Sequence, residues 1–208
     1  MLNNQSITQK EILLFTEGRH AFYGARQNWY PKVWQQQSGC GPTTCSHLVW
    51  YFAKSRKHGE ALCPYQGNSK ESIKRLMEDI WEYVTPTMLG VHSIDIFADG
   101  ISRYGQEKNV PLTVHRLNVP PQPGRQPSYE AVKKFIHTAF EADMPVAFLN
   151  RSSGKLTNLS GWHWVTLVGW EQDGVRIYDQ GVSWVIDLEL WLSSHRLGGG
   201  FVWFEDFT

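Results

Sequence analysis

Cys40 is the residue in this chain best placed to act as a nucleophile. It lies in the run Gln35-Gln36-Gln37-Ser38-Gly39-Cys40-Gly41-Pro42-Thr43-Thr44. The thiolate, not the thiol, attacks a carbonyl carbon, and a helix N-terminus beside an imidazolium favours the thiolate. Pro42 suits the first turn of a helix, where its missing amide hydrogen is not needed, so a helix is expected to begin at or next to Cys40. The backbone N–H of Cys40 is then a candidate donor to an oxyanion. A glutamine upstream can supply a second donor, each such donor being worth about 100–1,000-fold in rate. Gln35 is the first choice and Gln36 the reserve; spacing does not separate them. Gly39 and Gly41 are read as leaving space for a substrate backbone.

A cysteine nucleophile needs a base. His163 stands in Gly161-Trp162-His163-Trp164, at the start of an apolar run that ends at Trp170. Asp179 follows Ile177-Tyr178, and Glu171-Gln172-Asp173-Gly174 between the two runs reads as a hairpin turn. Antiparallel pairing across that turn returns Asp179 to the neighbourhood of His163. There it can fix the imidazole tautomer and stabilise the charged ring. Each residue also has a plain reading: a buried structural thiol, a satisfied histidine between tryptophans, a turn aspartate. The hairpin joins the second and third, and the Gln/Gly/Cys/Gly/Pro setting favours the first. His47 lies two helical turns beyond Cys40 and is expected to point away from it. Cys45 is read as core and Cys63 as a loop residue. His92 can start a helix, and His58, His115, His137 and His195 lack an acidic partner in sequence.

The elements that must position these groups follow from periodicity. Helices are predicted over about 43–57, 68–81, 92–104 and 128–140, from apolar spacing and from Ser or Asn starts. Short strands rich in β-branched and aromatic residues are predicted at 145–149, 163–170, 175–178, 184–186 and 201–204. Helices first and antiparallel strands later is an α+β pattern. The proline-rich stretch 119–127 reads as an extended connection between a helical and a sheet-rich lobe. The nucleophile falls in one lobe and the base in the other, so residues 1–208 are read as one cooperative domain with its site in a groove.

Composition narrows the function. Lysine plus arginine and aspartate plus glutamate each number 20, so no bulk field favours nucleic acid or an anionic membrane. No run reaches the roughly 20 apolar residues of a membrane helix. Residues 1–5 lack the basic and apolar pattern of a secretory signal, and three cysteines make no disulfide framework. These features point to a cytoplasmic protein with reduced thiols.

Taken together, the motifs resemble the papain-like cysteine peptidases, in particular the bacteriocin-processing (double-glycine leader) branch and its stand-alone bacterial relatives. The resemblance rests on Gln35 to Thr43, on Trp-His-Trp-Val-Thr-Leu-Val-Gly-Trp at 162–170 and on Ile-Tyr-Asp-Gln at 177–180, and it spans roughly residues 30–205. It implies a papain-like fold in which a helical lobe, with the nucleophile at a helix N-terminus, packs on a C-terminal antiparallel sheet. It also implies Cys40 as nucleophile, His163 as general base, Asp179 as its orienter and Gln35 as side-chain oxyanion donor. The family's glutamine usually lies one residue further from the cysteine, where Trp34 stands here. A proline often follows its aspartate, where Gln180 stands here.

The leading function is thiol-dependent hydrolysis of a peptide or amide bond, with no cofactor. The same constellation also serves acyl transfer to an amine or thiol. A third reading is a catalytically silent binding module whose groove is lined by Trp162, Trp164, Trp170 and Trp184, against ordinary core packing of those rings. A metal site from Cys40, Cys45, His47, His58 and Cys63 does not fit paired-ligand spacing. The polar loop 150–160, just before His163, is read either as a border of the cleft or as a solvated connector. Oligomeric state is not legible.

Overall fold

The structure is a computed structural model that describes residues 5–57 and 59–206. His58 and most of the N-terminal run therefore lie outside the described residues. The chain forms a hairpin of β1 (Leu14–Glu17) and β2 (His20–Tyr23), then helices α1 (Val33–Ser38), α2 (Cys40–Ser55), α3 (Lys70–Trp81) and α4 (Ile94–Glu107). There follow β3 (Leu112–Val119), α5 (Tyr129–Glu141), β4 (Val146–Asn150), β5 (His163–Glu171), β6 (Gly174–Asp179), β7 (Val182–Ile186), α6 (Leu188–Ser194) and β8 (Gly199–Asp206). The last six strands make one antiparallel sheet in the order β3-β8-β4-β5-β6-β7. The fold class is α+β.

Local chemistry sets the helix boundaries. The hydroxyls of Ser69, Ser93 and Ser128 accept from the amides of Ser72, Ile96 and Ala131, so α3, α4 and α5 each begin on a serine cap. Such a cap is worth about 1 kcal/mol. α2 differs from the amphipathic helices around it, because every residue from 41 to 53 is buried. A helix without a polar face belongs in the middle of a protein. α2 runs across one face of the sheet, with His47 on Thr166 and Phe52 against Phe204, while α4 adds Phe97 stacked on Trp164. The opposite face is covered by α5 and α6, through Phe135 on Trp203 and Trp191 on Phe148.

Five elements depart from the sequence reading. β1, β2 and α1 are not among the expected elements, and neither is α6, which starts on an Asp187 cap. β3 lies before the proline-rich stretch, yet it pairs with β8 along its whole length and forms an edge of the sheet. Residues 119–127 thus connect an edge strand to α5, and the sheet already begins in the part of the chain read as helical. The half-exposed pattern of β3, with Thr113, His115, Arg116 and Asn118 interrupting its apolar residues, lacks the strict alternation that marks a strand.

Candidate active site

Gly39 separates α1 from α2 and acts as the N-cap residue of α2, so Cys40 opens that helix. The amides of a helix's first turn have no acceptor inside the helix, and the dipole there favours negative charge. Only glycine fits at position 39: a Cβ would lie 2.4 Å from the Gln35 carbonyl oxygen and 2.7 Å from the Tyr30 ring. At Gly41 a Cβ would meet Val91 at 2.7 Å. The space at both glycines is therefore filled by the protein's own side chains and backbone, not left open for a substrate.

The hairpin of β5 and β6 forms across the Glu171–Gly174 turn, with Thr166 paired to Tyr178. It carries Asp179 to His163, and His163 Nε2 lies 2.8 Å from Asp179 Oδ1. Both side chains are nearly enclosed, at 13% and 12% exposure. A register shift between Leu167 and Gly169 bends β5 within this hairpin. Burial alone lowers the His163 pKa, but the Asp179 carboxylate, which accepts from the ring, and the neighbouring Cys40 sulfur outweigh it and raise the value to about 10. With Nε2 committed to Asp179, Nδ1 is the ring nitrogen left to face the Cys40 sulfur. Cys40, His163 and Asp179 thus converge from the start of α2, the start of β5 and the end of β6.

Gln35 is buried one helical turn before Cys40 but does not line the crevice at the thiol. Its carboxamide oxygen accepts at 3.3 Å from the backbone amide of Lys32, the N-cap residue of α1. That leaves the donor end of the amide for another partner. Gln36 is committed differently, its amide nitrogen donating to the Tyr30 carbonyl at 2.7 Å. The two glutamines that spacing left equivalent are separated by their hydrogen bonds.

The crevice beside Cys40 holds only about 10 Å³, and its walls include Thr43, Thr44, His47, Trp164, Asp179 and Gln180. A reacting group must therefore lie over the thiol rather than sink past it. His47 does approach this site, yet it is fully engaged. The Ala25 amide donates to its Nε2 at 2.7 Å, so Nδ1 carries the hydrogen and donates to Thr166 Oγ1, also at 2.7 Å. Burial pushes its pKa down to about 3, so His47 stays neutral.

Several supporting groups had no readable signal. Gln180, in a left-handed conformation at φ 50°, pairs reciprocally with Gln27, whose amide nitrogen in turn donates to the Gln36 carbonyl. This relay ties the turn after Asp179 to α1. On the other flank Trp162 adopts φ 58° and donates to the Leu89 carbonyl at 2.8 Å, and Trp164 donates to the Val91 carbonyl at 2.6 Å. The aromatic-groove residues do not act together: Trp164 is buried, and Trp162 and Trp170 stand at opposite ends of β5. Cys40, Cys45 and Cys63 are free thiols. Among the described residues no group of three His, Cys, Asp or Glu side chains converges to hold a metal, and no helix is long and apolar enough to cross a membrane. No protein-family model matches the chain, and no curated protein matches it in sequence.

Proposed function

We propose that this chain is a papain-like thiol hydrolase that cleaves a peptide or amide bond through an acyl-enzyme on Cys40. The observation that carries the proposal is the convergence of Cys40, His163 and Asp179 from three separate elements, with the imidazole held between a thiol and a carboxylate. The sulfur attacks the carbonyl carbon and the C–N bond breaks, with the His163 proton passing to the leaving amine. Water then attacks the thioester, His163 takes its proton, and the acid leaves as the thiolate is restored. Asp179 keeps the ring oriented and stabilises it in the two stages in which it carries the extra proton. The first-turn amide of Cys40 and the Gln35 carboxamide are the proposed oxyanion donors. Three free thiols suit a reducing, cytoplasmic setting.

The test is alkylation by limiting iodoacetamide between pH 5 and 9, read by peptide mass. Cys40 is expected to react before Cys45 and Cys63, at pH 6–7, and His163→Ala is expected to slow it at least tenfold. Equal reactivity of Cys40 in the two proteins would remove the basis of the proposal. Product analysis with and without added amine then separates hydrolysis from transfer.

A further inference from the structure

A second cavity lies on the same sheet face as Cys40 and at the same end of the sheet. Its position follows from register. His163 pairs with Asn150, and Asn150 pairs with Gly199, which pairs with Val119. The starts of β5 and β8 and the ends of β4 and β3 thus form one rim. The cavity, of about 380 Å³, opens along that rim between Leu149 and Arg151 of the β4 line, Arg116 and Asn118 of β3, and Ser93 and Asp95 at the start of α4. The face is the one that α2 and α4 cover, because Leu149 pairs with Trp164 and Trp164 stacks on Phe97 of α4. Val91, two residues before Ser93, packs over Gly41 and joins this cavity to the start of α2.

The cavity lining carries two guanidiniums, Arg116 and Arg151, and one carboxylate, Asp95. Arg116 is paired twice, at 2.8 Å to Asp95 and 3.4 Å to Asp99, so Asp95 is already occupied. Arg151 makes no ion pair among the described residues, and its Nε is enclosed without a hydrogen-bond partner. Arg151 thus lines the cavity as a guanidinium without a counter-charge, and a carboxylate matches the planar fork of such a group. Arg151 follows Asn150 directly, so it stands one or two strand spacings from His163, about 5–10 Å. An extended peptide crosses that gap in about two to three residues.

We infer that this cavity is a subsite for a carboxylate of the substrate, held by Arg151. The carboxylate belongs to an Asp or Glu side chain, or to a chain terminus, about two to three residues from the bond that Cys40 attacks. The inference rests on the thiol-hydrolase reading and names the substrate class for it: peptides carrying an anionic group near the scissile bond.

The experiment measures second-order rates of Cys40 labelling by peptidyl chloromethyl ketones. The probes differ only in carrying Glu, Gln or Lys at one of the four positions nearest the electrophile. Cleavage of matched peptides with a free or an amidated terminus distinguishes a terminal from a side-chain carboxylate. Wild type is expected to favour Glu over Gln about tenfold or more at one position, as a charge-assisted hydrogen bond implies. Arg151→Ala should abolish that preference while leaving the Gln probe and iodoacetamide within about twofold of wild type. Arg151→Glu should turn the preference towards Lys, an effect that mere structural damage does not produce. Equal rates for every Glu and Gln probe and for both terminal forms, with fast Cys40 labelling, would overturn the subsite and leave the catalytic reading intact. A Cys40 inert to iodoacetamide and to every probe would overturn both.

Discussion

At the scale of single residues, the Asp179 carboxylate decides the charge of the site. His163 is buried enough to prefer the neutral ring, and it is held protonated up to about pH 10 by Asp179 and Cys40. Asp179→Asn keeps the shape and removes the charge. Turnover of a peptide substrate is expected to fall about 100- to 10,000-fold. The alkaline limit of the pH–rate profile is expected to move to lower pH; an unmoved limit would mean that Asp179 does not support the ring. The glutamines give a second contrast. Gln35→Ala should cost about 100–1,000-fold in kcat with little change in KM, as loss of an oxyanion donor does. Gln36→Ala loses its bond to Tyr30 and should lower stability by about 1 kcal/mol in urea melts, with kcat nearly unchanged. These residues were legible to different degrees. Cys40, His163 and Asp179 can be found because a helix start and a two-strand hairpin are local patterns. The Gln27–Gln180 pair joins residues 153 apart through two neutral amides, and no local pattern announces such a contact.

At the scale of elements, the site depends on how closely α2 approaches the segment before α4. Gly41 lies against Val91, and Val91 is held in turn by its carbonyl bond from Trp164. A methyl at position 41 would stand 2.7 Å from the Val91 side chain, so one of the two segments must move. Gly41→Ala is expected to destabilise by about 1–3 kcal/mol, the range for overpacking. It should also slow Cys40 alkylation at least tenfold, because the displaced turn carries the sulfur. Val91→Gly in the same chain removes both crowding carbons and should restore much of the Cys40 reactivity, and a failure of that rescue would show that the contact does not set the turn. Elements were readable where the apolar period was regular, as in α3 and α5, or where the strand was enclosed, as in β4 and β5. β3 escaped because it is a half-exposed edge strand whose register is set by β8, more than eighty residues later. β1 and β2 are four residues each, too short for a period to emerge.

At the scale of the whole molecule, two buried histidines set opposite limits on stability. His47 is neutral in the folded chain, its pKa pushed down to about 3 by burial, whereas an unfolded histidine titrates near 6.5. Between those values the unfolded state binds the extra proton, so this contribution is full above about pH 6.5 and is lost as pH falls towards 3. His163 runs the other way. Its folded pKa is raised to about 10, so the folded state binds the extra proton between about 6.5 and 10. Its contribution is full below about pH 6.5 and is lost as pH rises through 10. Together the two histidines place their joint maximum near pH 6.5. Urea unfolding from pH 4 to 9.5 is expected to show a dome. His47→Gln should flatten its acid limb and His163→Gln its alkaline limb, whatever each does to the absolute stability. Taking the difference between wild type and variant removes the slope that carboxylates and His195 share in both proteins. An alkaline limb unchanged in His163→Gln would mean that the imidazolium is not held by the fold. The charge of the site and the stability of the whole chain would then have separate origins.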